Sequence, residues 1–149
     1  MTVTVERAQA ATSEVASALT RLLPQLTGKP TSMSVDDLAA ILAQPALTLL
    51  VARDDEDRII GTATVVIVTT TSGWVARLED VVVDDAARGQ GVGASLTLAA
   101  IQHARESGVG QLDLTSAPHR EAANRLYQRL GFERRTTNVY RHPLTRTDT

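Results

Sequence analysis

Apolar residues at helical spacing predict two helices near the start of the chain. Leu19 and Leu22 lie on one face of the first helix, and Pro24 is expected to end it. Ser34, with an aspartate three residues later, is typical of a capped start for the second helix. Residues 3–7 alternate apolar and polar positions, which predicts a short strand ahead of both helices.

The period then changes from helical to alternating. Residues 47–53, 59–70 and 74–84 are rich in β-branched side chains and are separated by two short polar turns. Long β-branched stretches separated by turns are typical of neighbouring strands. This region therefore predicts a three-stranded antiparallel meander.

Helical spacing returns from residue 91 to residue 107, where apolar residues follow one another every four positions. The pattern then predicts a strand over 112–115, a helix over 120–130 and short strands over 132–135 and 138–142. A strand–helix–strand crossover places its two strands in parallel. The fold class is therefore α/β, an α+β mixed sheet in one domain over residues 3–144.

Composition and charge exclude several classes of function. Aromatic residues make up only 3% of the chain, so the core must be aliphatic, and base-stacking platforms are not expected. The net charge is -2 with no basic block, which argues against a nucleic-acid partner. Without cysteine the chain has no disulfide, and its histidines have no metal-ligand spacing, so we expect no metal. We predict no membrane segment and a cytoplasmic location.

A glycine-rich turn carries the clearest chemical signal. A strand runs into alternating glycines at 89, 91 and 93, and a helix begins there. Glycines allow the backbone to approach a ligand, and the first N–H groups of a helix attract phosphate. A dinucleotide fingerprint formally matches, but residues 84–88 separate its first glycine from the strand, and too few residues follow for a doubly wound sheet. A helix start that binds nothing is the third alternative.

The same turn resembles a known family. Arg88-x-x-Gly91-x-Gly93 is similar to the (Q/R)-x-x-G-x-(G/A) signature of the GNAT superfamily of N-acetyltransferases. Residues 79–83 stand where that family has its preceding strand, and residues 120–132, ending in Leu-Gly-Phe, are similar to its second motif. The resemblance extends over nearly the whole chain.

This resemblance implies a GNAT fold and an enzyme that transfers acetyl from acetyl-CoA to a primary amine. It implies that two neighbouring strands splay apart, often beside a bulge, and that the open strand edge binds the pantetheine arm. Asn124 would contact the cofactor, and Tyr127 would stand near the thioester sulfur. The implied cofactor-binding residues are Val81, Val82, Val83, Arg88, Gly89, Gln90, Gly91, Val92, Gly93, Ala94, Asn124 and Tyr127.

Two residues are candidates for catalysis. Glu79 is the first choice for the base, because strict alternation would place it on one strand face with Val81 and Val83. A bulge would change that parity, so Asp80 is the alternative base, and Glu79 could instead pair with an arginine. Tyr127 is suited to protonate the departing thiolate, although it could also simply pack in the core.

The acceptor stays open between a small-molecule amine, an amino-sugar phosphate and a protein amine. Such folds bind it near the first two helices and the last strands, here residues 23–33 and 134–138. Two alternative functions remain: a non-catalytic acyl-CoA-binding regulatory module and a nicotinamide-dependent oxidoreductase. A homodimer is one possible assembly.

Overall fold

The computed structural model describes residues 1–146 and contains four strands and four α-helices. In chain order they are β1 (Thr4–Arg7), α1 (Ser13–Thr27), α2 (Val35–Leu42), β2 (Leu47–Arg53), β3 (Ile59–Thr70), β4 (Gly73–Val83), α3 (Val92–Glu106) and α4 (Glu121–Arg129). A 3₁₀ turn, Asp85–Ala87, connects β4 to α3. The mixed α/β fold predicted from the sequence is confirmed.

The four strands form one antiparallel sheet in the order β1-β2-β3-β4. Neighbouring residues of β2 point to opposite faces of this sheet, as the pleat requires. Leu49 and Val51 pack with α1 and α2, whereas Leu50 and Ala52 pack with α3. The sheet is therefore covered on both faces, and its buried residues in the described chain include no aromatic side chain.

The start of α2 follows its predicted cap, but the predicted end of α1 is wrong. The Ser34 hydroxyl accepts from the N–H of Asp37 at 2.9 Å, and the Asp37 carboxylate accepts from Ser34 at 3.1 Å. Pro24 does not end α1, which continues to Thr27 and stops at Gly28. The Pro24 carbonyl still accepts from the N–H of Gly28 at 2.9 Å, so the last helical turn closes around the proline.

The C-terminal strands are much reduced relative to the prediction. Residues 112–115 form only one parallel bridge, between Arg77 and Asp113, so the predicted strand direction is right and its length is wrong. Residues 132–135 and 138–142 form no strand. Residues 133–138 are all polar and residues 133–146 are all exposed, so the described chain offers no apolar burial that would hold these strands against the sheet.

Gly61 on β3 lies close to both α3 and the main chain of β4. A Cβ built there would lie 3.0 Å from the Val82 carbonyl oxygen and 3.0 Å from Leu96 Cδ1. We expect Gly61→Ala to lower the free energy of unfolding by about 2 kcal/mol, because a backbone carbonyl cannot move aside easily. For a domain of this size that corresponds to a fall of about 6 °C in the thermal midpoint, measured by calorimetry.

Gly110→Ala is the matched control, because a Cβ there meets nothing within 4 Å. Its midpoint should stay within about 1–2 °C of the parent protein. Equal midpoints for the two variants would contradict the tight packing of β3 on α3.

Candidate active site

Beyond Leu78, β4 is hydrogen-bonded along one edge only. The N–H of Leu78 donates to the Asp113 carbonyl at 2.9 Å, and the N–H of Asp113 donates to the Ala76 carbonyl at 3.0 Å. Within residues 1–146, the main chain of 79–83 then bonds only to β3. The edge that faces away from β3 is open, as the predicted splay requires.

A bulge interrupts β4 at the point where it opens. Thr64 of β3 pairs with Glu79, and Thr62 pairs with Val82, so β4 contains one residue more than β3 between these pairs. Asp80 has a φ of 50°, in the left-handed region that residues other than glycine seldom adopt. An extra residue on one strand reverses the alternation of the side chains beyond it.

The bulge overturns the predicted parity of Glu79. Leu78 packs in the cluster with α3, so Glu79, the next residue, faces the α1 and α2 layer. Beyond the bulge, Val82 packs in the cluster with α1 and α2, while Val81 and Val83 pack against the α3 cluster. Glu79 and these two valines therefore lie on opposite faces of the sheet, because Asp80 occupies the bulge.

Two carboxylates and one guanidinium meet at the start of the open edge. The Arg77 Nε donates to Glu79 Oε1 at 2.7 Å, so the ion pair considered from the sequence is present. Both side chains remain about two-fifths exposed (36% and 41%). Burial, and then the neighbouring Glu79 carboxylate, raise the pKa of Asp80 above its ordinary value. The two adjacent carboxylates thus differ in their contacts, since Glu79 pairs with Arg77 and Asp80 lies in the bulge.

The start of α3 has free main-chain donors. Gly91 is the N-cap, with a φ of 82° and no side-chain cap within the described chain. Gly89 has a φ of 76°, and a Cβ at either glycine would meet only open space. Uncapped N–H groups at the positive end of a 15-residue helix, approached by a glycine loop, fit a diphosphate group.

The side chains near the start of α3 differ in their surroundings: one is buried, one forms an ion pair and one lines a cleft. Val92 is buried in the core, so only its main chain faces the loop. Arg88 pairs with Asp85 at 2.8 Å on the surface, and Gln90 lines a neighbouring cleft. A Cβ on Gly93 would lie 3.3 Å from Leu126 of α4 and 3.8 Å from Val83, so β4, α3 and α4 converge there.

Asn124 and Tyr127 lie on α4 beside this convergence. The Asn124 amide donates to the Ala117 carbonyl at 3.0 Å, which fixes the loop before the helix. Tyr127 packs edge-on against Phe132 with ring centroids 5.7 Å apart. Its hydroxyl has no hydrogen-bond partner among residues 1–146, and burial raises the pKa of the phenol. Tyr127 is thus partly packed, and its protonated hydroxyl remains available.

Sequence reasoning missed the residues of α1 that hold the loop. The Arg21 guanidinium pairs with the Asp84 carboxylate and donates to the Ile59 carbonyl at 2.7 Å. Gln25, one turn later, accepts from the N–H of Asp85 at 2.8 Å. Their four-residue spacing was visible, but nothing in the sequence connected α1 to a loop some sixty positions away. A cleft of about 640 Å³ lies between α1 and this loop.

The described residues show neither a group of metal ligands nor a membrane-spanning helix. No three His, Asp or Glu side chains among them are grouped so as to hold a metal ion. None of the helices in this part of the chain is both long and apolar enough to cross a membrane.

A bulged strand that opens beside a glycine-bounded helix start defines a class of α/β proteins in which free main-chain donors at a helix start lie next to an open strand edge. Within that class, the chain matches the model of the acetyltransferase (GNAT) family over residues 16–132. This match covers most of the chain, and the protein belongs to the acetyltransferase (GNAT) family. The resemblance stated from the sequence is confirmed.

Three relatives illustrate the match. A 60-residue stretch is 43% identical to the mycothiol acetyltransferase of Paenarthrobacter aurescens (strain TC1), covering 40% of this chain and 19% of that protein. The chain thus spans about a fifth of the length of the curated relatives it matches. An acetyltransferase of Trypanosoma brucei is 27% identical with a TM-score of 0.76, over 96% of this chain and 100% of that one. A transcriptional regulator from Bacillus halodurans C-125 is 28% identical with a TM-score of 0.79, over 95% and 99%.

We expect Arg21→Gln to loosen the loop between β4 and α3 without unfolding the protein. A partly exposed ion pair and its carbonyl bond contribute on the order of 1 kcal/mol, so local opening should become about five times more frequent. Hydrogen–deuterium exchange of the peptide covering residues 84–94 measures this directly.

The control is Arg7→Gln, which removes another surface ion pair, to Glu106 at 3.6 Å, on the far strand β1. Exchange in residues 84–94 should not change in this variant. Unchanged exchange in Arg21→Gln as well would show that α1 does not hold the loop.

Proposed function

We propose that this protein is an N-acetyltransferase that moves acetyl from acetyl-CoA to a primary amine by direct attack within a ternary complex. The observation that carries this proposal is the open edge of residues 79–83 next to the uncapped start of α3. Membership of the GNAT family supports the use of an acyl-CoA and an acceptor. We also propose that residues 3–144 form the single catalytic domain, and a cytoplasmic location stays a prediction.

The chain's own groups fit the parts of acetyl-CoA. The open edge at Val81, Val82 and Val83 offers main-chain partners to the amides of the pantetheine arm. The N–H groups of residues 89–94 offer donors to the diphosphate, and Arg88 adds a positive charge beside them. Asn124 supplies an amide at the start of α4. When bound, acetyl-CoA supplies a thioester carbonyl for the amine to attack.

In this proposal Glu79 takes a proton from the amine. A lysine-type ammonium has a pKa of about 10.4, so it must lose a proton before attack. Glu79 faces the α1 and α2 layer, and the connection between these helices is part of the proposed acceptor region, residues 23–33. Asp80, in the bulge, is the alternative base.

Tyr127 then protonates the departing thiolate. Because burial raises the pKa of its phenol, the hydroxyl carries its proton throughout the neutral range. The hydroxyl makes no hydrogen bond to residues 1–146, so donation breaks no existing contact there. A Cβ built on Gly93 would lie 3.3 Å from Leu126, the residue before Tyr127, so α4 runs beside the first turn of α3.

A non-catalytic acyl-CoA-binding regulatory module is the second candidate. Two observations favour it: Arg77 is already hydrogen-bonded to the Glu79 carboxylate, and one similar structure is that of a transcriptional regulator. The geometry argues against the other alternative, a nicotinamide-dependent oxidoreductase. A dinucleotide fingerprint begins where its strand ends, whereas here the 3₁₀ turn Asp85–Ala87 separates β4 from the glycines.

Release of free CoA thiol across a panel of amines tests the proposal. The panel contains amino-sugar phosphates, polyamines, amino acids and lysine peptides, since the acceptor class is open. The chain has no cysteine and adds no thiol signal of its own. In parallel, acetyl-CoA at 100 times its Kd should stabilise the fold by about 2.7 kcal/mol, and NAD should not. Stabilisation without turnover on any amine would favour the regulatory module.

We expect Tyr127→Phe to lower kcat by about 10²- to 10⁴-fold, because the variant lacks the proton donor. The Kd for CoA, measured by calorimetry, should stay within about twofold. Tyr140→Phe is the matched control: the chain has two tyrosines, and Tyr140 is 88% exposed. Its kcat should equal that of the parent, and equal kcat values for all three proteins would remove Tyr127 from the chemistry.

Glu79→Gln and Asp80→Asn separate the two carboxylates. A base works only when ionised, so the parent's kcat/KM for the amine should fall as the pH drops through the pKa of the base. We expect Glu79→Gln to lower kcat/KM by at least about 10²-fold and to abolish this acidic limb. Asp80→Asn, with the same change of charge one residue away, should keep both the limb and most of the activity. The reverse result would assign the base to Asp80.

A further inference from the structure

The sheet face that carries Glu79 is only partly covered by α1 and α2. Residues two apart in a strand share a face, so Arg77 and Val75 of β4 lie on this face with Glu79. Their cross-strand partners on β3, Val66 and Val68, lie there as well. None of the three valines belongs to the core cluster that α1 and α2 form with the sheet, and Val68 and Val75 are 37% and 38% exposed. These five residues are here called the open face.

Arg77 has unused hydrogen-bond donors on the open face. A guanidinium has five N–H groups, and Arg77 uses the one on Nε, which donates to Glu79 Oε1 at 2.7 Å. Within residues 1–146, neither Nη1 nor Nη2 of Arg77 has a hydrogen-bond partner, and Glu79 provides the only carboxylate within 4.0 Å of an Arg77 nitrogen. A guanidinium whose two terminal nitrogens are free can bind a carboxylate or a phosphate with two parallel hydrogen bonds.

The charges of Arg77 and Glu79 balance each other in the free protein. When the ammonium group of an acceptor pairs with Glu79, as proposed above, Arg77 loses its partner. An acceptor that carries its own anion replaces that partner, because the anion can bind the terminal nitrogens of Arg77. Since Arg77 and Glu79 are in hydrogen-bond contact at 2.7 Å, the two charges of such an acceptor must also be close together. An amino group and a carboxylate on one carbon atom meet this condition.

The three valines of the open face add a condition on the rest of the acceptor. Val66, Val68 and Val75 present adjacent aliphatic side chains next to Arg77. Burial of apolar surface against them favours an aliphatic group. A sugar is less suited, because its hydroxyl groups would lose hydrogen bonds to water without gaining partners from valine. Charge and polarity together therefore describe a small zwitterion with an apolar side chain.

We propose that the acceptor is an α-amino acid with an aliphatic side chain, and that Arg77 binds its carboxylate. This inference rests on the proposed acetyl transfer and specifies its acceptor. The reaction forms a bond between the amino nitrogen and the acetyl carbon and breaks the carbon–sulfur bond of the thioester. Of the two protons that the ammonium loses, one leaves through Glu79 and one replaces the proton that Tyr127 gives to the thiolate. The products are an N-acetyl amino acid and free CoA thiol.

Asp113 is the alternative partner for Arg77. It lies in register with Arg77 across the parallel bridge, and it is exposed. If Arg77 turned to Asp113 when an amine takes over Glu79, the acceptor would need no anion of its own. The two alternatives make opposite predictions for acceptors that differ only in a carboxylate.

Such pairs of acceptors test the proposal through the release of CoA thiol. Leucine is compared with isoamylamine, and valine with isobutylamine. We expect kcat/KM to be at least about tenfold higher for each amino acid, because a hydrogen bond to a charged group contributes about that factor or more. Glucosamine-6-phosphate, whose anion is remote from its amine, should be a poorer acceptor than leucine. Equal kcat/KM values within both pairs, or a preference for the sugar phosphate, would overturn the proposal.

Arg77→Gln tests the contact with the carboxylate itself. We expect the preference for leucine over isoamylamine to fall by about tenfold, mainly through a higher KM for leucine. The two acceptors differ in basicity equally in both proteins, so the change in their ratio reports the contact with Arg77. Arg105→Gln is the matched control, since Arg105 is an exposed residue of α3 on the other side of the sheet. It should keep the parent's preference, and an unchanged preference in Arg77→Gln as well would contradict the role of Arg77.

A binding measurement separates this inference from the proposed acetyl transfer. If no amine is acetylated, the acetyl transfer is wrong, and calorimetry then compares the binding of leucine and isoamylamine to the parent protein in the presence of CoA. Tighter binding of leucine, lost in Arg77→Gln, would still support an amino-acid site on the open face. Equal binding of the two compounds, or binding of neither, would overturn it.

Discussion

The one-sided hydrogen bonding of β4 is the constraint on which the rest of this site depends. A strand bonded along both edges could not offer main-chain groups to a ligand, and a strand bonded along neither would not be fixed. Here β3 holds β4 along its whole length, while the parallel contact at Asp113 is a single bridge. The bulge at Asp80 falls just beyond that bridge. It directs Glu79 to the face of the sheet covered by α1 and α2, and Val81 to the face covered by α3. A carboxylate therefore lies beside the open edge of β4 on the α1 and α2 face.

The helix layer over β4 is itself fixed by charged contacts at both ends of α1. Near its start, Glu14 accepts two hydrogen bonds from Arg53 of β2, which also binds Glu6 of β1. These bonds lower the pKa of the Glu14 carboxyl. Farther along the helix, Arg21 and the glutamine one turn later hold the residues that lead into the glycine loop. The helix α1 thus connects the sheet edge at β1 to the proposed diphosphate site. A shift of α1 would therefore move the loop that leads into the start of α3.

The sequence predicted those parts in which local pattern and tertiary environment agree. The period of α3 and the long β-branched strands each bury one continuous face, so their type could be recognised without a partner. The position of Glu79 could not, because a one-residue bulge reverses strand parity and leaves no mark in the hydrophobic pattern. Pro24 was misjudged, because α1 continues past it to Thr27 and is closed there by Gly28 in the left-handed conformation. The role of Arg21 depends on a contact between distant positions, which no local pattern encodes.

The ion pair between Arg77 and Glu79 looks at first like an obstacle to proton transfer. Both groups are more than a third exposed, so their attraction is screened and contributes about 0–1 kcal/mol. An approaching ammonium group offers the same carboxylate the same charge, and it can therefore replace the guanidinium at little cost. Asp80 works in the same direction: burial first, and repulsion from the neighbouring Glu79 carboxylate second, raise the pKa of Asp80, so a negative charge there is disfavoured. In the proposed reaction a positively charged acceptor relieves that repulsion, so we expect the pair of carboxylates to favour binding of the amine in its charged form and its deprotonation only afterwards.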